Sequence, residues 1–193
     1  MSLSKAKPRR HIHTRSIRCD AYQRDDGLWD IEGIITDTKT YSFDNQDRSG
    51  VAAGEAVHQM RVRLTIDDEL VVHSAEAVTE AAPFNMCGNI APDYSKLAGL
   101  KIGAGWRKNV TARLGGTHGC THISDLVLGP LPVTAFQAVI PARRKRENEA
   151  GSGVRPTTLD TCHALASTSP VIKRRWPEFY TEATSETKPQ DHS

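Results

Sequence analysis

A chain of 193 residues and 21.2 kDa is enough for one domain, or for one domain with tails, and its 38% hydrophobic and 6% aromatic content predicts a modest core. No run comes near the roughly 18 uncharged apolar residues of a membrane-crossing helix, and the N-terminal MSLSKAKPRRHIHTR lacks the apolar stretch of a secretory signal. The net charge of +2 hides an asymmetry: six Lys/Arg and no acid fall in residues 1–18, leaving a mildly acidic remainder. Binders of nucleic acid carry their basic charge on the fold, because neutralising phosphates supplies most of their affinity, so a nucleic-acid partner is not expected.

Residues 1–12 read as a flexible basic arm. From Thr14 to about Ala82 the pattern is strand-like. Arg24-Asp25-Asp26-Gly27 is a hairpin signal, and after it Trp29, Ile31 and Ile35 alternate with Asp30, Glu32 and Thr36. A polar loop follows at residues 44–50. Next, His58, Met60, Val62, Leu64 and Ile66 share one face of a strand, opposite Gln59, Arg61, Arg63 and Thr65. Asp67-Asp68 then turns the chain into a strand over residues 70–78. The whole predicts an antiparallel meander of about four strands.

The second half is helical in pattern. A short helix is expected over 93–97, and a better one over 106–114 that stops at Gly115-Gly116. Another begins near Cys120, runs through Ile123, Leu126 and Val127, is interrupted by Gly129, Pro130 and Pro132, and resumes over 135–139. Residues 149–157 read as a linker, with short helices over 159–166 and 171–180. The polar tail at 182–193 is expected to be disordered. The fold class predicted is α+β: a single domain over 13–181, in which an antiparallel β-meander from the N-terminal half packs against helices from the C-terminal half.

Four cysteines, at 19, 87, 120 and 162, form no CxxC pair. Without a signal peptide they read as reduced thiols in the cytoplasm, used for packing, metal binding or reactivity. Leu114-Gly-Gly-Thr-His-Gly-Cys-Thr-His122 is the most suggestive stretch, because a thiol at a helix N-terminus is favoured as thiolate. Residues two apart on a helix point away from each other, so Cys120 and His122 share a site only if Cys120 is the cap. Cys162-His163 is a second Cys/His pair, and Cys120, His122, Cys162 and His163 together offer enough ligands for one Zn or Fe ion.

His58, on the apolar face of its strand, and its neighbour Glu55 are candidates for proton transfer. Acidic residues of the preceding strand (Asp30, Glu32, Asp37) could join them, or could be turn and solvent-face residues. Arg63 is a candidate anion anchor, with Trp29 and Glu32 as substrate contacts, although pairing of Arg61 and Arg63 with Asp30 or Glu32 is the ordinary use of such a face. No GxGxxG follows a strand, and no GK[ST], GxSxG or HExxH occurs, so no nucleotide or flavin cofactor is expected.

Many short motifs occur in one order: His13-Thr14-Arg15, Asp26-Gly27-Leu28-Trp29-Asp30-Ile31-Glu32, Thr36-Asp37-Thr38-Lys39, Gly54-Glu55-Ala56-Val57-His58-Gln59-Met60 and Arg63-Leu64-Thr65-Ile66-Asp67. Gly99, Gly105-Trp106, Gly115-Gly116, Gly119-Cys120-Thr121-His122 and Ala135-Phe136-Gln137 continue the series. The set resembles the bacterial family known as domain of unknown function 2889, over about residues 13–140 and into Cys162-His163 and Trp176-Pro177. Pro132 departs from it, at a place where a helix-friendly residue is expected. The resemblance carries no activity with it, but it implies a shared site containing Cys120, His122, Glu55 and His58. It also implies a setting in bacterial small-molecule catabolism, often of aromatic compounds.

The expectation is therefore a small cytoplasmic enzyme of lyase, isomerase or hydrolase type, with or without metal assistance, acting on a small organic substrate. His58, Glu55, Cys120 and His122 would be catalytic. No membrane partner is expected, and a homo-oligomer is left open. The alternative is a non-catalytic metal-binding or accessory module that uses the Cys/His cluster.

Overall fold

The computed structural model describes residues 3–149, 155–156 and 158–182. The expected linker therefore lies largely outside the described residues, as does all but the first residue of the expected tail. Contacts divide the chain into two compact units, Met1–Lys145 and Arg146–Ser193.

The first unit is built on a four-stranded antiparallel sheet in the order β1-β2-β3-β4, namely β1 (His13–Gln23), β2 (Trp29–Lys39), β3 (Ala56–Ile66) and β4 (Val72–Ala81). The hairpin signal is used as expected: Gly27 takes φ 86°, a conformation costly for any residue with a Cβ, and the Arg24 N–H reaches the Leu28 carbonyl. Alternation then sets the faces. Trp29, Ile31, Ile35, Met60, Val62, Leu64 and Ile66 are buried on one side. On the other, Arg63 pairs with Glu32 at 2.7 Å, Arg61 with Glu80 at 2.7 Å, and Thr65 donates to Asp30 at 2.7 Å. These are the cross-strand pairs a solvated sheet face favours.

Helical segments cover the apolar face. A 3-10 helix over Asn85–Leu97 is longer than the five residues expected. A three-residue repeat stacks Ala91, Tyr94 and Leu97 on one side of it, and all three are buried. Then come α1 (Trp106–Leu114), α2 (Thr121–Leu128) and α3 (Pro130–Glu149). The interruption expected at Gly129, Pro130 and Pro132 occurs at Gly129, which ends α2, but the helix resumes at once, with α3 beginning at Pro130 rather than near 135. Prolines are tolerated in a first turn, whose N–H groups have no helical partner anyway. Trp106, Val110, Leu114, Ile123, Leu126, Val127, Leu131, Ala135 and Val139 complete the core with the sheet. Gly33 lets two layers meet, because a Cβ there would lie 3.0 Å from a methyl of Leu131. The stretch Thr121–Arg146 is long and apolar enough, by length and composition, to cross a membrane. Its Ile123, Leu126, Val127, Leu131, Ala135 and Val139 are all fully buried in this core.

In the second unit, the short helix α4 (Pro170–Arg175) is capped by the Ser169 hydroxyl, which accepts from the Ile172 N–H. The helix expected over 171–180 stops at Trp176, because Pro177 disfavours helical geometry in the residue before it. Where a helix was expected over 159–166, a single 3-10 turn forms at His163–Leu165.

Candidate functional site

Three neighbouring strands place Arg15, Asp37 and His58 in one row on the core side of the sheet, with Asp37 directly opposite Arg15 on β1 and His58 on β3. Just beyond this row the β2–β3 register shifts, so that Val57 is bulged between Ala56 and His58. Bulges bend a strand and re-aim side chains, and this one sits beside the row it would aim. From above, α2 brings His122. Cys120 is the N-cap of α2, with an extended backbone at φ −103° and ψ 129°, so the condition under which Cys120 and His122 can share a site is met.

Tyr94 fixes that cap. Its hydroxyl accepts from the Cys120 N–H at 2.9 Å and lies 2.9 Å from both the Cys120 carbonyl and Ser124 Oγ. Gly119 is required at the approach, because a Cβ on it would fall 2.1 Å from the Leu114 carbonyl oxygen.

The side chain of Asp37 is 3% exposed, and it is the buried charged residue among those described. Arg15 grips it in bidentate fashion, with Nε to Oδ1 and Nη2 to Oδ2 both at 2.8 Å, while Nη1 reaches Asp125 at 2.8 Å. Around the same carboxylate stand His13 Nε2, 3.3 Å from Oδ1, and His58 Nδ1 and His122 Nε2, each 3.3 Å from Oδ2. The rings of His58 and His122 stack with centroids 3.7 Å apart. Cys120 Sγ lies 4.0 Å from His122 Nδ1.

Electrostatics follow from this packing. Burial alone would push the Asp37 carboxyl up, but Arg15 and the two histidines overcome it and hold the group below the usual carboxylate range. Burial pushes His58 down, the facing His122 pushes it further, and Asp37 opposes both. His122 is likewise lowered by burial, with Asp37 opposing and the Arg15 cation assisting. Both imidazoles are therefore neutral at pH 7, able to accept a proton or to ligate a cation.

Of the residues singled out from sequence, His58, His122 and Cys120 come together here. Glu55 does not join them: it accepts from the Ala52 N–H, which with Arg48 holds it below its usual range, and it pairs with Arg48 in the turn before β3. Arg63 and Glu32 pair with each other on the opposite face of the sheet, in a shallow groove whose Arg18 and Arg61 also have acidic partners. Trp29 is buried and donates its indole N–H to Asp68. Cys162 and His163 belong to the second unit, and both are exposed. Asp37 was grouped with Asp30 and Glu32 as a possible partner of His58, whereas Arg15 and His13, which also reach its carboxylate, were not singled out.

Comparison with curated proteins finds no match, and none is found among solved structures. A family model described as Protein of unknown function (DUF2889) matches residues 13–137, a span that runs from the first residue of β1 into α3 and takes in the whole Arg15–Asp37–His58–Cys120–His122 cluster. That span is well over half of the chain, and the chain belongs to this family.

Proposed function

We propose that the chain is a small enzyme that runs acid–base chemistry on a small organic substrate at the Asp37–His58–His122 cluster. The observation that carries this reading is a buried carboxylate, neutralised by Arg15, against which two neutral imidazoles are packed. Such an imidazole is poised to take a proton near neutral pH, and the carboxylate stabilises the imidazolium that forms. A positioned base of this kind contributes about 10²–10⁴-fold to rate.

His122 is the better placed of the two bases. One of its nitrogens faces Asp37 and the other faces the Cys120 thiol, in the order nucleophile, base, orienting acid. This favours hydrolase chemistry over lyase or isomerase chemistry, with esters or thioesters of small acids as the substrate class and aromatic acids among them. Arg15 is a positioning residue, because its guanidinium is occupied by Asp37 and Asp125.

The test is turnover of a panel of small aryl and alkyl esters and thioesters by the purified chain. Hydrolysis above background that falls by about 10²-fold or more in His122→Asn, with folding intact by circular dichroism, supports the reading. No turnover across the panel, or undiminished turnover in both His122→Asn and Cys120→Ala, overturns it.

A further inference from the structure

We propose that Asp37, His58 and His122 form a binding site for a divalent transition metal ion of the zinc type. One donor atom from each residue lies within 4.8 Å of the other two, from three separate elements of the fold. This is a different set from the Cys/His ligands suggested by spacing along the chain, and it shares only His122 with them.

Four observations carry the inference. First, the donor chemistry is right, since two imidazoles and a carboxylate are ordinary ligands for such ions and leave an open position for water or substrate. Second, two of the three donor separations match such an ion. Bonds of about 2.0–2.2 Å at tetrahedral angles place donor atoms about 3.3–3.6 Å apart, and both imidazole-to-carboxylate separations here are 3.3 Å. An octahedral ion with bonds of the same length would draw adjacent donors to about 2.8–3.1 Å.

Third, His58 Nδ1 is fully buried and has no hydrogen-bond partner among the described residues. Its 3.3 Å approach to Asp37 is misaligned for a hydrogen bond. A buried polar nitrogen without a partner costs stability, and a metal ion would supply that partner. Fourth, the carboxylate is held by an outer group, as ligating carboxylates are: Arg15 fixes both oxygens. With an ion on its Nε2, His122 keeps Nδ1 toward Cys120, which becomes the outer partner of that ligand.

The stacked rings set the cost. Lone pairs in two near-parallel planes do not converge, so ion binding must turn the imidazoles out of their 3.7 Å stack. With an ion in place, the two imidazoles would serve as its ligands rather than as free bases, and the ion would supply Lewis-acid chemistry at the site. The inference rests on the same cluster as the proposed reaction. Its test reads occupancy rather than turnover, so either can fail while the other stands.

The experiment is titration of the full chain, stripped with chelator, with Co²⁺ followed by visible absorption and with Zn²⁺ followed by calorimetry. The expected result is one equivalent bound, the intense visible bands of four-coordinate Co²⁺, and their loss in both His58→Asn and His122→Asn, each shown folded by circular dichroism. Arg15→Lys should weaken affinity by about 10–100-fold. The inference is overturned if the wild type binds neither ion. It is equally overturned if the bound equivalent survives in both histidine variants, or disappears in Cys162→Ser with the two histidines intact.

Discussion

Replacement of Arg15 by alanine isolates the interaction on which the cluster depends. The variant leaves the Asp37 carboxylate, 3% exposed, without the two 2.8 Å charge-assisted bonds that offset its burial. Breaking a buried ion pair by removing one partner costs about 3–5 kcal/mol. The Arg15 side chain is 37% exposed, and exposed pairs are worth about 0–1 kcal/mol, so solvent screening brings the expected loss to about 2–3 kcal/mol at pH 8. For a chain of this length that corresponds to a fall in Tm of roughly 4–12 °C.

The loss should depend on pH, with a sign set by the histidines. In the wild type, the Arg15 cation helps hold both His58 and His122 down. Without it, and facing a bare carboxylate, both rise. A histidine whose pKa is lowered in the folded state costs stability as pH falls below its unfolded value of about 6.5, and the less it is lowered the smaller that cost at acid pH. The destabilisation of Arg15→Ala should therefore be smaller at pH 5.5 than at pH 8. Urea melts of both proteins across that range, with histidine ring shifts followed by NMR, measure the two effects together. A loss under about 0.5 kcal/mol at pH 8 would mean that Asp37 is solvated in solution, and a loss independent of pH would refute its coupling to the histidines.

Two further perturbations probe the surroundings. Tyr94→Phe strands the Cys120 N–H, which the Tyr94 hydroxyl accepts at 2.9 Å, so it should cost about 1–3 kcal/mol and speed alkylation of Cys120 by iodoacetamide; unchanged stability and labelling would show that the clamp is redundant. In the β3–β4 turn, burial would raise the Asp67 carboxyl, but His73 and the N–H groups of Val71 and Glu69 outweigh it and hold the pKa low. A lowered carboxylate stabilises above its unfolded pKa and loses that contribution as pH falls through the folded value. Asp67→Asn should thus lag the wild type at pH 7 and converge on it as the pH falls through the folded value, and a gap constant with pH would show that the charge adds nothing.

The meander was legible because each strand boundary has a chemical cause, and so was half of the site. Asp37 shares parity with Trp29, Ile31 and Ile35, so the alternation that buries those three buries it as well. Grouping it with Asp30 and Glu32, two acids of the opposite parity, obscured this. Arg15 was harder to find. β1 is exposed over its first six residues and shows no alternation, and only the register imposed by the Arg24–Gly27 turn sets Arg15 against Asp37. Asp37 and His58 could be grouped as possible partners, but the register that sets one opposite the other could not be read, because the 16 residues between β2 and β3 and the bulge at Val57 are fixed by tertiary contacts rather than by any local pattern.

The same bulge and turn explain Glu55, three residues from His58 in sequence yet engaged by Arg48 and Ala52. On the core side of this sheet, Asp37 breaks the rule that its neighbours obey. A leucine or valine there would pack against α2 at no electrostatic cost. The fold instead sustains a buried carboxylate with a guanidinium from one strand, an imidazole from the next and another from the covering helix. Local rules are broken in this way at functional sites, where the compensating groups must be supplied from elsewhere in the chain. At this position those groups are an arginine lock and two histidines, and a side chain needed for packing alone would require neither.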